Sequence, residues 1–249
     1  MRDRDEWMRR LGPLYPASVA LRRTTVMRVG PNAPIGEDLA RSAPWVVGLG
    51  AITGFAGYAA AWVVARWGAS PLLAAAAAVA ALAIVGGAVM ESGFARWAER
   101  RAGRAAVIAS VTSMVVRFAA LASIAPGRWL AALVVAELAA RWSAVLLQRL
   151  GDPIFDDAER PGYSVGEVSW GVIGAVTAAV AIAAAWAFGW RGIAALVACG
   201  ACAFALGLEA QRRDGQPGSD ALAAVAALAG AIVLVAAALI APAWPAWTP

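Results

Sequence analysis

Seven stretches of the chain are predominantly apolar over the length of a membrane crossing, at roughly 43–65, 71–90, 105–125, 129–147, 170–190, 192–208 and 221–241. A helix needs about 20 such residues to traverse the hydrocarbon core of a bilayer. The runs are continuous in Ala, Leu and Val and lack the period-2 alternation of outer-membrane strands, which excludes a β-barrel. The expected fold is all-α, a polytopic membrane bundle of about seven transmembrane segments. Composition agrees: 61% of the 249 residues are hydrophobic and only 15% are charged, against about a quarter charged in a soluble domain. A disordered chain, a disulfide-rich secreted module and an ordinary cytosolic enzyme are excluded.

The 21 basic residues are all Arg, and their distribution orients the bundle. With the N-terminus in the cytoplasm, residues 1–42 and the loops 91–104, 148–169 and 209–220 hold sixteen of them, and the outer loops only three (Arg66, Arg128, Arg191). That asymmetry is a positive-inside signal. It also accounts for a sequence pI of about 10.2 without a nucleic-acid partner. Fifteen of the sixteen acids fall in the same four inner segments, so acid–base, metal or phosphate chemistry is expected at the cytoplasmic face. The expected organisation is an amphipathic cytoplasmic segment over 1–42, with Trp7 and Leu11 turned to the membrane, a helical domain over 43–241, and an external tail over 242–249. A bacterial inner membrane is the expected location.

Glu91 and Glu99 lie eight residues apart, about two helical turns, so a continuing helix would carry both toward one side. Carboxylates beside Arg at a membrane surface suit Mg²⁺-assisted phosphoryl transfer, since Mg²⁺ takes oxygen ligands and Arg clamps phosphate oxygens. The competing reading is that both acids are solvated helix-end residues. The acidic Pro/Gly-rich stretch Gly151–Gly162 reads as a connector. In the turn Arg212–Asp220, backbone N–H groups around Asp214, Gly215 and Gly218 and the following helix N-terminus offer a phosphate cradle, while Asp220 also suits an N-cap.

Within the apolar runs, Glu137 and Arg141 have the i,i+4 spacing of an ion pair, and Arg117 stands near the middle of its segment. These three should face the bundle interior, as a functional cavity or a structural network. Cys199 and Cys202 are expected to pack as small apolar groups. Gly50 and Gly54 should permit close helix approach. Trp62, Trp67, Trp129, Trp170 and Trp190 should mark the interfaces.

The order of motifs resembles the cobalamin synthase family, the adenosylcobinamide-GDP ribazoletransferases, over about Ala17 to Ala241. Thr24–Arg28 is similar to the family's Thr-Arg-Leu-Pro-Val segment, and Arg41–Gly50 to its run into the first helix. Gly86-Gly87 precedes the acidic loop as a Gly-Gly does there. Arg101-Ala102-Gly103 resembles an Arg-x-Gly, Ala140-Arg141 a Ser-Arg, and Gly215–Leu222 a Gly-Gln-Thr-Gly-Asp-Thr-Leu-Gly.

The resemblance implies a membrane transferase that joins adenosylcobinamide-phosphate to α-ribazole or its phosphate and releases GMP. It implies Mg²⁺ on Glu91, Glu99 and Asp220, phosphate oxygens held by Arg101, Arg104 and Arg141, and the Asp214, Gly215 and Gly218 turn as a binding element. A homo-oligomer or a complex with other cobamide-pathway proteins would fit. The family's Asp-rich motif is altered: Glu91 or Ser92 stands at its first Asp, Ala95 or Arg96 at its middle Asp and Glu99 at its last, while Ala226–Ala229 replaces acids of the last helix. The alternatives are a non-catalytic paralogue serving as an assembly subunit, or a transporter.

Overall fold

The computed structural model describes residues 2–32, 34, 36–103, 106–150, 163 and 167–241. The 242–249 tail, most of the 148–169 loop and Arg104 lie outside the described residues. Ten α-helices are described: α1 (Arg2–Leu11), α2 (Tyr15–Thr24), α3 (Gly36–Arg66), α4 (Pro71–Val85), α5 (Val89–Ala102), α6 (Ala106–Ala122), α7 (Trp129–Leu150), α8 (Trp170–Phe188), α9 (Trp190–Asp214) and α10 (Ser219–Ile240). Five of them, α3, α7, α8, α9 and α10, are long and apolar enough to cross a bilayer.

Local chemistry sets several boundaries. The Ser70 hydroxyl accepts the Leu73 N–H ahead of Pro71, and the Ser169 hydroxyl accepts that of Val172, so α4 and α8 begin on side-chain caps. At the other end of a helix, Gly215 in the left-handed region (φ +80°) stops α9. Asp220 is not the cap expected of it. Gly218 occupies that position, and Asp220 lies within the first turn of α10, where a carboxylate still favours the helix N-terminus.

Two of the seven expected spans are shorter than their apolar runs. The 71–90 run ends as a helix at Val85; the chain then turns through 83° into α5. Gly86-Gly87-Ala88 makes the break, with Gly87 at φ +63° and Ala88 at φ +51°. Ala88 is the one non-glycine described residue with positive φ. A left-handed Cβ costs about 1–2 kcal/mol, so Ala88→Gly is expected to stabilise the protein by about 1 kcal/mol, read as a higher Tm in detergent. An unchanged or lower Tm would show that the turn is not strained. The 105–125 run yields α6, whose 17 residues span about 25 Å, less than a full hydrocarbon core. Hydropathy reports transfer free energy and is blind to such a turn within an apolar run.

The most enclosed spans are α7 and α10, with 72% and 61% of their apolar windows buried against protein, whereas α9 buries 22%. α3 crosses α7 at Gly50 and Gly54, where a Cβ would lie 2.6 Å from the Glu137 carbonyl oxygen and 2.7 Å from the Val134 Cα. The small-residue pair therefore does what its spacing suggests. Cys199 is buried, its Sγ 3.5 Å from the Ala229 carbonyl oxygen, consistent with packing of α9 on α10.

The N-terminal segment requires correction. α3 already begins at Gly36, so no boundary falls at residue 42. Trp7 and Leu11, with Met8, are half-buried and pack one side on Tyr15, Val19 and Leu39. Asp38, 1% exposed, anchors this layer: Arg4 donates to both of its oxygens (Nε 2.7 Å, Nη2 3.0 Å), and the Tyr15 hydroxyl donates at 3.0 Å. Burial, reinforced by the Asp38 charge, pushes the Tyr15 phenol up to about 12. Trp129 also departs from the expected belt. It is buried, and its indole N–H donates to the Ile124 carbonyl, whereas Trp62, Trp67, Trp170 and Trp190 are exposed.

Candidate functional site

Where α5 lies across α10, the two helices almost touch: a Cβ on Gly93 would come within 2.3 Å of the Ala223 Cβ. One and two turns further along α5, Arg96 and Arg100 point to the first turn of α10. Arg96 Nε donates to Asp220 Oδ1 at 2.9 Å and Arg100 Nη1 to Asp220 Oδ2. The i,i+4 spacing puts the two guanidinium groups on one helix face, so a single carboxylate receives both. The next residue, Arg101, turns to α9. It contacts Glu209 and Asp214 at 2.9 Å and stacks 4.8 Å over the Trp97 ring. Arg213 reaches the same Glu209 at 3.0 Å.

A second polar cluster is buried inside the bundle. Arg141 is wholly enclosed; its Nη1 donates to the Thr53 hydroxyl at 2.6 Å and lies 3.3 Å from Glu137 Oε2, to which the Thr53 hydroxyl is also bonded at 3.0 Å. The α3–α7 approach at Gly50 and Gly54 brings Thr53 to this pair. Arg117, 4% exposed, sends Nη2 to the Ala227 carbonyl at 2.9 Å and to Met90 Sδ at 2.7 Å, while its Nη1 is 3.5 Å from Glu91 Oε1. As expected, Arg117, Glu137 and Arg141 all face the interior. Tyr163 is buried in the combined field of Arg141, Glu137, Glu91 and Arg117, and burial holds its phenol above the ordinary tyrosine range.

The residues expected to form one site are thus divided between two places. Asp220, Asp214 and Arg101 belong to the α5–α9–α10 seam, with Gly215 and Gly218 in its turn. Arg141 belongs to the buried cluster. Glu91 and Glu99 are both on α5 but do not converge, because eight residues at 3.6 per turn leave an offset of about 80°. Glu91 turns inward to Arg117, and Glu99 is exposed. Among the described residues no group of three or more His, Cys, Asp or Glu is gathered to hold a metal ion. The described donor set therefore does not fit Mg²⁺: Asp220 is taken by two arginines and Glu91 faces a third. Arg96 stands out in the sequence only as a cation at the position of the family's middle Asp; its partnership with Arg100 on Asp220, and the places of Thr53 and Tyr163, are seen in the structure alone. The Arg96/Arg100 spacing was a usable signal, whereas a lone Tyr in a Pro/Gly-rich acidic loop was not.

A family model described as cobalamin-5-phosphate synthase matches residues 97–239, more than half of the chain and all of the elements from the second half of α5 to the end of α10. No curated protein and no solved structure matches the chain.

Proposed function

The chain belongs to the cobalamin-5-phosphate synthase family, membrane enzymes of cobalamin biosynthesis, and from that premise we propose that it joins adenosylcobinamide-phosphate, delivered as adenosylcobinamide-GDP, to α-ribazole or its phosphate. The observation that carries this reading is the family match itself, which covers Arg100 and Arg101 at the end of α5 and all of α6 to α9 and nearly all of α10, including Arg117, Glu137, Arg141 and Asp220. In the reaction an oxygen of the ribazole partner attacks the phosphorus on the cobinamide side. A new O–P bond forms, the P–O bond to GMP breaks, and the proton of an attacking hydroxyl passes to the leaving phosphate or to water. Arg96 and Arg100 are about half exposed, at 54% and 49% of their side chains. Each guanidinium has five N–H donors, so those not used on Asp220 are available to diphosphate oxygens. This assigns phosphate binding to Arg96 and Arg100 on the seam, in place of the enclosed Arg141 and the latched Arg101.

In this reading the seam faces the cytoplasm of a bacterial inner membrane, as the Arg distribution supports, and nucleotide substrates reach it there. Labelling a Ser219→Cys variant in intact cells tests the orientation: a membrane-impermeant thiol reagent should leave it unmodified. Labelling from outside would reverse the topology.

A second reading, a non-catalytic paralogue that assembles with other cobamide-pathway proteins, is favoured by one observation: the seam's buried acid is neutralised within the chain by Arg96 and Arg100. Complementation separates the two. Expression in a strain lacking its cobalamin synthase should restore cobalamin-dependent growth, and an Arg96→Ala/Arg100→Ala variant should fail to do so. A well-expressed wild-type chain that gives no growth would favour the paralogue.

A further inference from the structure

We infer that at the α5–α10 seam the chain's own guanidinium groups, Arg96 and Arg100, take the place of a bridging divalent cation, so that the seam is held together without metal. Three observations carry this. First, both oxygens of Asp220 are occupied, one by each arginine, from adjacent turns of the same helix. Second, α5 and α10 are in direct contact at Gly93 and Ala223, which leaves little room for an ion that dehydrates reluctantly and keeps several waters. Third, Glu91, the acid on α5 nearest the helix crossing, is turned to Arg117, and Arg117 is itself fastened to α10 through the Ala227 carbonyl.

A divalent ion approaching Asp220 would meet two positive charges already within hydrogen-bonding distance of its ligand, which inverts the potential a metal site requires. The cross-link from α5 to α10 that a shared ion would supply is made directly by Arg96–Asp220–Arg100 on one side of the contact and, through Arg117 of α6, by Glu91–Arg117–Ala227 on the other. The Arg96 and Arg100 links end on a carboxylate that is only about 10% exposed, so they are less screened than ordinary surface pairs.

Thermal unfolding of the purified full chain in detergent, with EDTA, MgCl₂ or MnCl₂ and no nucleotide, tests this independently of the transferase reading, because no substrate takes part. The wild-type Tm should be the same in all three conditions. Arg96→Ala/Arg100→Ala should lower it by at least roughly 2–4 °C, the shift expected for about 1 kcal/mol in a protein of this size, and Mg²⁺ should not restore it. Arg96→Glu/Arg100→Glu would face Asp220 with two further carboxylates. Its Tm should be lowest in EDTA and should rise on adding Mg²⁺ or Mn²⁺. Should that variant not fold, Arg100→Glu alone provides the same comparison. A wild-type Tm that rises with Mg²⁺ overturns the inference, as does an Arg96→Ala/Arg100→Ala variant as stable as the wild type.

Discussion

Replacing Arg141 with alanine should cost about 3–5 kcal/mol, the usual penalty for leaving one partner of a buried ion pair uncompensated. Arg141 is 0% exposed, and its removal leaves the Glu137 carboxylate accepting from the Thr53 hydroxyl without a guanidinium beside it. At roughly 2–4 °C per kcal/mol for a chain of this length, Tm in detergent should fall by about 10 °C, or the protein should fail to purify as a single species. Glu137→Leu/Arg141→Met should be much milder, because an apolar pair of similar volume avoids the desolvation penalty. A loss below about 1 kcal/mol in the Arg141→Ala variant would mean that the pair is solvated, since exposed pairs contribute little.

The second large effect lies at the α3–α7 crossing. Gly54→Leu should separate the two helices, because its Cβ would fall 2.7 Å from the Val134 Cα and 2.8 Å from the Leu133 carbonyl oxygen. Those are backbone atoms, which cannot rotate aside as a side chain would. Overpacking ordinarily costs about 1–3 kcal/mol, and here it would also withdraw Thr53 from Glu137 and Arg141. Aggregation in size-exclusion chromatography and a lowered Tm are the expected readouts. Gly48→Leu is the control on the same helix, since a Cβ there meets nothing within 4 Å. Equal behaviour of the two variants would show that the crossing is not set by small residues.

These two positions also show what can be read from a sequence of this kind. The α3–α7 crossing and the Glu137–Arg141 pair were visible because both depend on i,i+4 spacing within one helix, which is independent of how helices pack. Arg96 and Arg100 carry the same i,i+4 signal, but only Arg96 is conspicuous in the sequence, as a cation at the position of the family's middle Asp. The 83° turn after α4 was hidden because Gly86-Gly87 lies inside an apolar run, where composition still favours the membrane. The packing of Trp7 and Leu11 on protein is not legible in the sequence, because an amphipathic helix presents the same face to a bilayer or to protein. The contacts with Tyr15, Val19 and Leu39 come from tertiary structure, which no helical periodicity encodes. The grouping of Glu91, Glu99 and Asp220 required relations between α5 and α10 that no spacing encodes.

Direct turnover tests the central claim. Detergent-purified protein supplied with adenosylcobinamide-GDP and α-ribazole, in buffers with and without Mg²⁺, should release GMP and form the joined cobamide in equal amounts, both quantified by mass spectrometry. The transferase account predicts a 1:1 yield that disappears in the Arg96→Ala/Arg100→Ala variant. Folded wild-type protein that forms neither product, with or without Mg²⁺, while an established synthase is active in the same Mg²⁺-containing assay, would contradict it.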